Sequence, residues 1–440
     1  MIPSDKTSTA PQHRNGWAWI PTLYFAEGLP YVAVMTIAVI MYKRLGLSNT
    51  DIALYTSWLY LPWVIKPFWS PFVDILKTKR WWIITMQGLV AASLASIAFF
   101  IPTPFYIQAT LAFFWLMAFS SATHDIAADG FYMLAQSVGE QSFFVGIRNT
   151  FYRLANIFGQ GVLVMFAGAL EEGVIHPSSK GNIPLAWSIT FYLLAGIFIA
   201  LTLYHKFILP KPQADLPAKR DDQSAGIFTE FGRTFVSFFN KKNIGVILLF
   251  LLTYRLGEAQ LVKLASPFLL DTKEAGGLAL STTTVGFTYG TIGVAALLLG
   301  GIIGGVLVSR FGLKKWIFPM IIAIHTPNLL FVFLSHYQIS TVSTIVSFVA
   351  LEQFGYGFGF TAYMLYLIHV ASGEHKTAHY AIGTGLMALG MMLPGMAAGK
   401  IQELIGYTNF FWWVCICTIP SFIAVFLVRK QLDPNFGKKN

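Results

Sequence analysis

Twelve windows of roughly twenty predominantly apolar residues follow one another along the chain, each long enough to cross a hydrocarbon core as a helix. They lie at about 16–42, 51–74, 81–101, 105–136, 143–170 and 184–206, then at 244–270, 282–308, 315–335, 340–370, 377–401 and 408–429. One long polar segment, KPQADLPAKRDDQSAG, separates the sixth window from the seventh. The pattern therefore predicts a six-helix bundle over residues 1–206, a linker over 207–243 and a second six-helix bundle over 244–440. Inside the linker, Phe228, Phe231, Phe235, Phe238 and Phe239 recur at helical spacing near Arg233, Lys241 and Lys242. That spacing fits a short amphipathic helix on the membrane surface, or an ordinary linker helix.

Composition agrees with the pattern. Of 440 residues, 55% are hydrophobic and only 11% charged, with a mean hydropathy of +0.61. A soluble protein of this length needs far more charge to cover its surface. The fold class expected is an all-α polytopic membrane protein with the bilayer as its surroundings. A net charge of +10 would in a soluble chain point to nucleic acid, but the basic residues concentrate in alternate loops. Lys77, Lys79, Arg80, Lys206, Lys211, Arg310, Lys314, Lys315, Arg429 and Lys430 fall on the side of both termini, against Lys43, Arg44, Lys180, Lys273 and Lys400 opposite. This asymmetry places both termini in the cytoplasm, with no nucleic-acid partner. The apolar stretch after the polar first fifteen residues is too long for a signal-peptide core and reads as a retained span. Cys415 and Cys417 lie two apart on a helix, point to different faces, and fit neither a disulfide framework nor a zinc site.

Several charges remain inside the predicted spans. They are Lys66, Arg148, Arg153, Arg255 and Lys263, and Glu27, Asp125, Asp129, Glu258 and Glu352. Each costs about 2.5–3.5 kcal/mol at the centre of an inserting helix, so they must pair or face a wet cavity. Helical spacing gathers them into stripes: Tyr24, Glu27 and Tyr31; Ser121, Asp125, Asp129, Tyr132 and Gln136; Arg255 and Glu258; Glu352, Tyr356, Tyr363 and Tyr366. The expected reading is a polar interior path for a small-molecule substrate. Glu27, Asp125, Asp129 and Glu258 are its candidates for carrying protons. Lys66, Arg153, Arg255, Glu352, Tyr356 and Tyr363 are its candidates for holding substrate, Arg favouring a two-pronged grip on carboxylate. Internal salt bridges that only hold the bundle together are the alternative, and Arg148 and Lys263 lie close enough to span ends to snorkel.

The stretch HDIAADG also resembles the start of a phosphatidyltransferase metal motif, an integral-membrane enzyme acting on a lipid-linked substrate. Phe131 and Tyr132 stand where Ala-Arg would follow the glycine, and no second aspartate pair occurs in the next span. A two-metal site needs ligands on both helices, so neither a catalytic residue nor a metal is expected. His124 and Asp125 diverge by about 100° on a helix and cannot act as an acid–base pair; His124 as a proton relay stays open beside a simple hydrogen bond. No Walker-type glycine loop is present, so no nucleotide cofactor is expected and an ion gradient must drive uphill movement. A receptor or scaffold that binds without flux is a further class.

After the eighth window, GGVLVSRFGLKK resembles the G-x-L-x-D-R-x-G-R-K loop of the major facilitator superfamily, with Ser309 at the aspartate and Leu313 at the first basic position. The loop after the second window, SPFVDILKTKR, keeps Asp74. Within that superfamily the chain is similar to the AmpG-type muropeptide permeases, which share an origin with the acetyl-CoA transporter family. YFAEGLPY, KPFWSP, HDIAADGF, YRLAN, YRLGEA and LEQFGYGFGFTAY carry this resemblance through nearly all spans. His124 stands where that group usually has glutamine, and DIAADG is nearer the acetyl-CoA branch. The resemblance implies a major facilitator fold of two six-helix bundles that rock about a midplane site. It implies proton symport of anhydro-muropeptides or related amino-sugar saccharides by a bacterial inner-membrane permease, expected to be a monomer, with Asp74 and Arg310 in gating loops. An acyl-CoA or nucleotide-like organic anion is the alternative cargo.

Overall fold

The structure, a computed structural model, describes residues 15–216, 232–372 and 376–438. Among these residues the chain crosses twelve times as helix. We number the crossings α1 (Gly16–Arg44), α2 (Asn49–Trp58 and Leu61–Leu76), α3 (Lys79–Phe100), α4 (Tyr106–Ala135), α5 (Gly139–Glu171) and α6 (Ile183–Ile208). The second half holds α7 (Ile244–Leu270), α8 (Thr282–Phe311), α9 (Leu313–Tyr337), α10 (Val342–Ala371), α11 (376–405) and α12 (407–431). Eight helical stretches have the length and hydropathy of a span, the last of them, Ala378–Gln431, containing both α11 and α12. The others are α2, broken before Leu61, and α4 and α10, which bury polar side chains.

Local chemistry sets the helix ends. Ser48, Thr78 and Ser281 accept hydrogen bonds from backbone N–H groups in the first turns of α2, α3 and α8, and Ser137 with Glu140 forms a reciprocal capping box at α5. In α1, α5 and α8 the helix widens into a π turn, at Ala33–Ile37, Phe158–Leu163 and Phe287–Gly293. Such turns frequently mark functional sites in helices. The backbone breaks between α11 and α12 at Gly406.

Apolar burial does not drive helix association in lipid, so close packing has to. The bundles meet where α5 crosses α8, α2 crosses α11 and α1 lies by α7. Gly290 sits at the α5–α8 crossing, where a Cβ would lie 2.0 Å from the backbone nitrogen of Gly161. Both π turns face each other there, and no larger residue fits.

Two loop features hold the terminal end of the bundles. Asp215, from the linker, accepts from the backbone N–H groups of Lys79 (2.6 Å) and Arg80 (3.0 Å), while the Arg80 guanidinium donates to the carbonyl of Lys206. Between α8 and α9, Gly312 has φ +84°, and a Cβ there would also meet the Pro434 carbonyl at 2.6 Å. The C-terminal tail completes this turn, with Leu313 N–H donating to the Phe436 carbonyl at 2.9 Å. In the linker, residues 232–239 are helical. Phe238 is fully buried in the core of the second bundle, with Phe235 and Phe239 against it. This helix packs on protein along one face; Phe228 and Phe231 of the expected stripe lie outside the described residues.

Candidate functional site

The stripes on α1, α2, α4 and α5 converge inside the first bundle. Lys66 Nζ donates to Asp125 Oδ2 in a half-buried ion pair. The buried carboxyl of Glu27 lies within hydrogen-bonding reach of Asp125, yet its Oε2 has no hydrogen-bond partner among the described residues. One turn along α4, Asp129 accepts from Tyr24 Oη at 3.1 Å and pairs with Arg148 at 3.0 Å. The Arg148 guanidinium lies 4.7 Å from the Tyr24 ring and 5.2 Å from the Tyr132 ring, which meet edge to face, a cation–π arrangement that fixes a long side chain. Thus Asp125 and Asp129 each own a cation, and among the described residues Glu27 makes no ion pair.

A second group lies at the seam with the other bundle. Arg255 makes a two-pronged pair with Glu258 one turn away, at 2.6 and 2.9 Å, and donates to Tyr356 Oη at 2.8 Å. Tyr31 and Tyr60, from the first bundle, face this pair. Lys263, buried in α7, donates to Thr56 Oγ1 of α2 at 3.0 Å and sits 5.0 Å from the Tyr60 ring. Glu352 is buried in α10, accepting from Gln353 at 2.8 Å. Charges on the second bundle thus face tyrosines on the first.

The end opposite the termini is latched. Lys43 of α1 pairs with Asp271 after α7 at 2.5 Å, and Asp271 also accepts from Tyr407 at 2.6 Å. Asn49 donates to Gln402 (2.7 Å) and Tyr407 (2.8 Å), and Thr50 Oγ1 to Glu403 (2.5 Å). Glu171 collects Arg44, Trp187 and, across the seam, Thr282 at 2.7 Å. The bundles are closed at that end. Toward the terminal end, Asp129 and Arg148 keep 41% and 25% of their side-chain surface exposed.

Comparison with known proteins decides the family. Residues 22–262 match the family model of the Major Facilitator Superfamily. The chain belongs to the major facilitator superfamily. It is a secondary-active transporter of a small organic solute across a membrane, and not an enzyme. A Rickettsia conorii protein named putative transporter AmpG 4 is 27% identical over 432 residues, covering 93% of this chain and 95% of its own. The anhydromuropeptide permease of Escherichia coli K12 is 24% identical over 426 residues, covering 93% of this chain and 79% of its own. Among solved structures, a POT family transporter in complex with 5-aminolevulinic acid superposes with a TM-score of 0.68 at 12% identity, covering 98% of each chain.

Some side chains of this facilitator sit away from their expected places. Arg153 is exposed and has no acidic partner among the described residues. Its neighbour Tyr152 is the YRLAN residue that turns to Glu27 and Asp125, since adjacent residues diverge by about 100° on a helix. Arg148, a turn earlier, supplies the cation. Tyr363 is fully buried in the second bundle, donating to the Leu251 carbonyl at 2.8 Å and stacking on Phe250. It ties α10 to α7. Arg310 is exposed in the last turn of α8, and the side chain of Asp74 lies outside the described residues. His124 hydrogen-bonds Gln87 at 3.0 Å, and Gln87 continues to His205 at 2.9 Å. The latch was not anticipated, because its residues are ordinary loop polars until the fold brings them together.

Proposed function

We propose that this facilitator imports anhydro-muropeptides, or closely related amino-sugar saccharides, together with protons across a bacterial inner membrane. It acts as a monomer with both termini in the cytoplasm. Three facts support the reading: the names of the relatives aligned over 93% of the chain, the basic loops on the terminal side, and a buried carboxyl without a cation of its own. That last observation carries the coupling. With both termini inside, the latched end faces the periplasm and the part-exposed Asp129–Arg148 pair lies toward the cytoplasm. In the opposite state Glu27 takes a proton while Asp125 stays bound to Lys66. Arg255, held by Glu258 at rest, exchanges that partner for a substrate carboxylate, with Tyr31, Tyr60 and Tyr356 around the sugar. Release of both to the cytoplasm relatches the seam.

The cargo is tested by competition. Uptake of radiolabelled anhydro-muropeptide into membrane vesicles is expected to be blocked by unlabelled anhydro-muropeptide and not by an acyl-CoA, a nucleotide or a plain peptide. Competition by the acyl-CoA in place of the amino sugar would move the assignment to an organic-anion carrier of the acetyl-CoA type.

A further inference from the structure

A cavity of about 390 Å³ opens at the terminal end of the second bundle, lined by Lys242, Asn243, Ile247, Tyr366, His369 and Gln431 together with Leu432. This is the size range of small-ligand sites, about 300–1,000 Å³. It lies far along the helices from the charged groups of the seam: α7 starts at Ile244, α10 ends at Ala371 and α12 ends at Gln431. Three crossing helices therefore terminate around it, at the level where a bilayer carries its headgroups.

We propose that this cavity binds the phosphate headgroup of an anionic phospholipid. Two independent features point to an anion. The first turn of α7 has no side-chain cap, and Asn243 stands at its N-cap in left-handed backbone with φ 62°; the Ile244, Val246 and Ile247 N–H groups donate to the Lys241 and Asn243 carbonyls, so this helix start offers an anion the positive end of its dipole. Tyr366 is only 3% exposed and lines the cavity, and its hydroxyl has no hydrogen-bond partner among the described residues. Its ring is fixed 4.4 Å from Phe250 and stacked on His369, so the hydroxyl is a pre-placed donor. Lys242 supplies the charge. Its neighbour Lys241 is occupied instead with the Ser372 carbonyl, at 3.4 Å. Asp433, whose field reaches His369, is the acidic group nearby and opposes the anion.

Position favours a lipid over a free anion. The helix over 232–239 leads directly into Lys241 and Lys242, with Val236 exposed at 57% beside its buried Phe238. On α12, whose last turn borders the cavity, Ile423 and Phe426 are exposed at 52% and 54%, and Lys430 lies 4.3 Å from the Phe426 ring. Basic pockets between membrane helices at this level recognise anionic headgroups.

The test uses the full-length protein in mild detergent, titrated separately with phosphatidylglycerol, phosphatidylcholine and inorganic phosphate. Retained lipid is read by native mass spectrometry. Phosphatidylglycerol is expected to be retained over phosphatidylcholine, and excess inorganic phosphate is expected not to displace it. Lys242→Ala and Tyr366→Phe, on an exposed residue and by loss of one oxygen, should each weaken retention roughly fivefold. Equal retention of the two lipids, or parent-like binding by both variants, would overturn the site. Displacement by inorganic phosphate would make it a free-anion site and overturn the lipid assignment.

Discussion

Replacing Glu27 by glutamine is expected to abolish concentrative uptake while leaving exchange of solute across the membrane intact. The expectation rests on the division of labour in the first bundle. Asp125 is held by Lys66 and Asp129 by Arg148 and Tyr24, so each has a cation beside it. Glu27 is buried, lies beside Asp125 and leaves one oxygen unpartnered. A carboxyl without a cation in such a place is stable when neutral and is free to lose its proton only when the path rearranges. Glutamine copies the protonated shape and cannot release the proton. A gradient of about two pH units sustains about 100-fold accumulation in a one-proton electroneutral symport, because each unit is a factor of ten. In Glu27→Gln that ratio should fall to about 1, with counterflow of labelled solute preserved. Parent-like accumulation would remove Glu27 from the coupling.

The second large effect is at the seam. Glu258→Gln leaves the Arg255 guanidinium buried beside a neutral amide, and breaking a buried pair by removing one partner costs about 3–5 kcal/mol. Thermal unfolding in detergent should register this as a clear loss of stability, along with loss of transport. The double variant Arg255→Met/Glu258→Leu removes both charges and should regain most of the stability. It should not regain transport, because no guanidinium remains to take a substrate carboxylate. Recovery of both together would mean that the pair is scaffolding.

The fold was largely legible in the sequence, and the site only in part. Apolar windows and basic loops are local properties, so the expected crossing over 105–136 is observed as Tyr106–Ala135. Spacing of four residues likewise put Asp125 and Asp129 on one face without any knowledge of what faces them. Partner choice is a tertiary matter. Nothing in YRLAN tells that Tyr152 and not Arg153 turns inward, since that depends on how α5 is rotated against α1. Tyr363 shares a stripe with Tyr356, yet one is bonded to the α7 backbone and the other to Arg255. The π turns in α5 and α8 shift side-chain phase in a way that 3.6-residue counting does not follow. The latch joins Asn49 to Gln402 and Tyr407, residues separated by most of the chain and unremarkable until two bundles close on them.

The most direct measurement of the account is proton movement driven by solute alone. Purified protein in sealed liposomes, with a trapped pH dye and no imposed gradient, would receive anhydro-muropeptide outside. The account predicts acidification of the interior that depends on the muropeptide, follows its entry and is absent in Glu27→Gln. Entry of the muropeptide with no change in interior pH would contradict it.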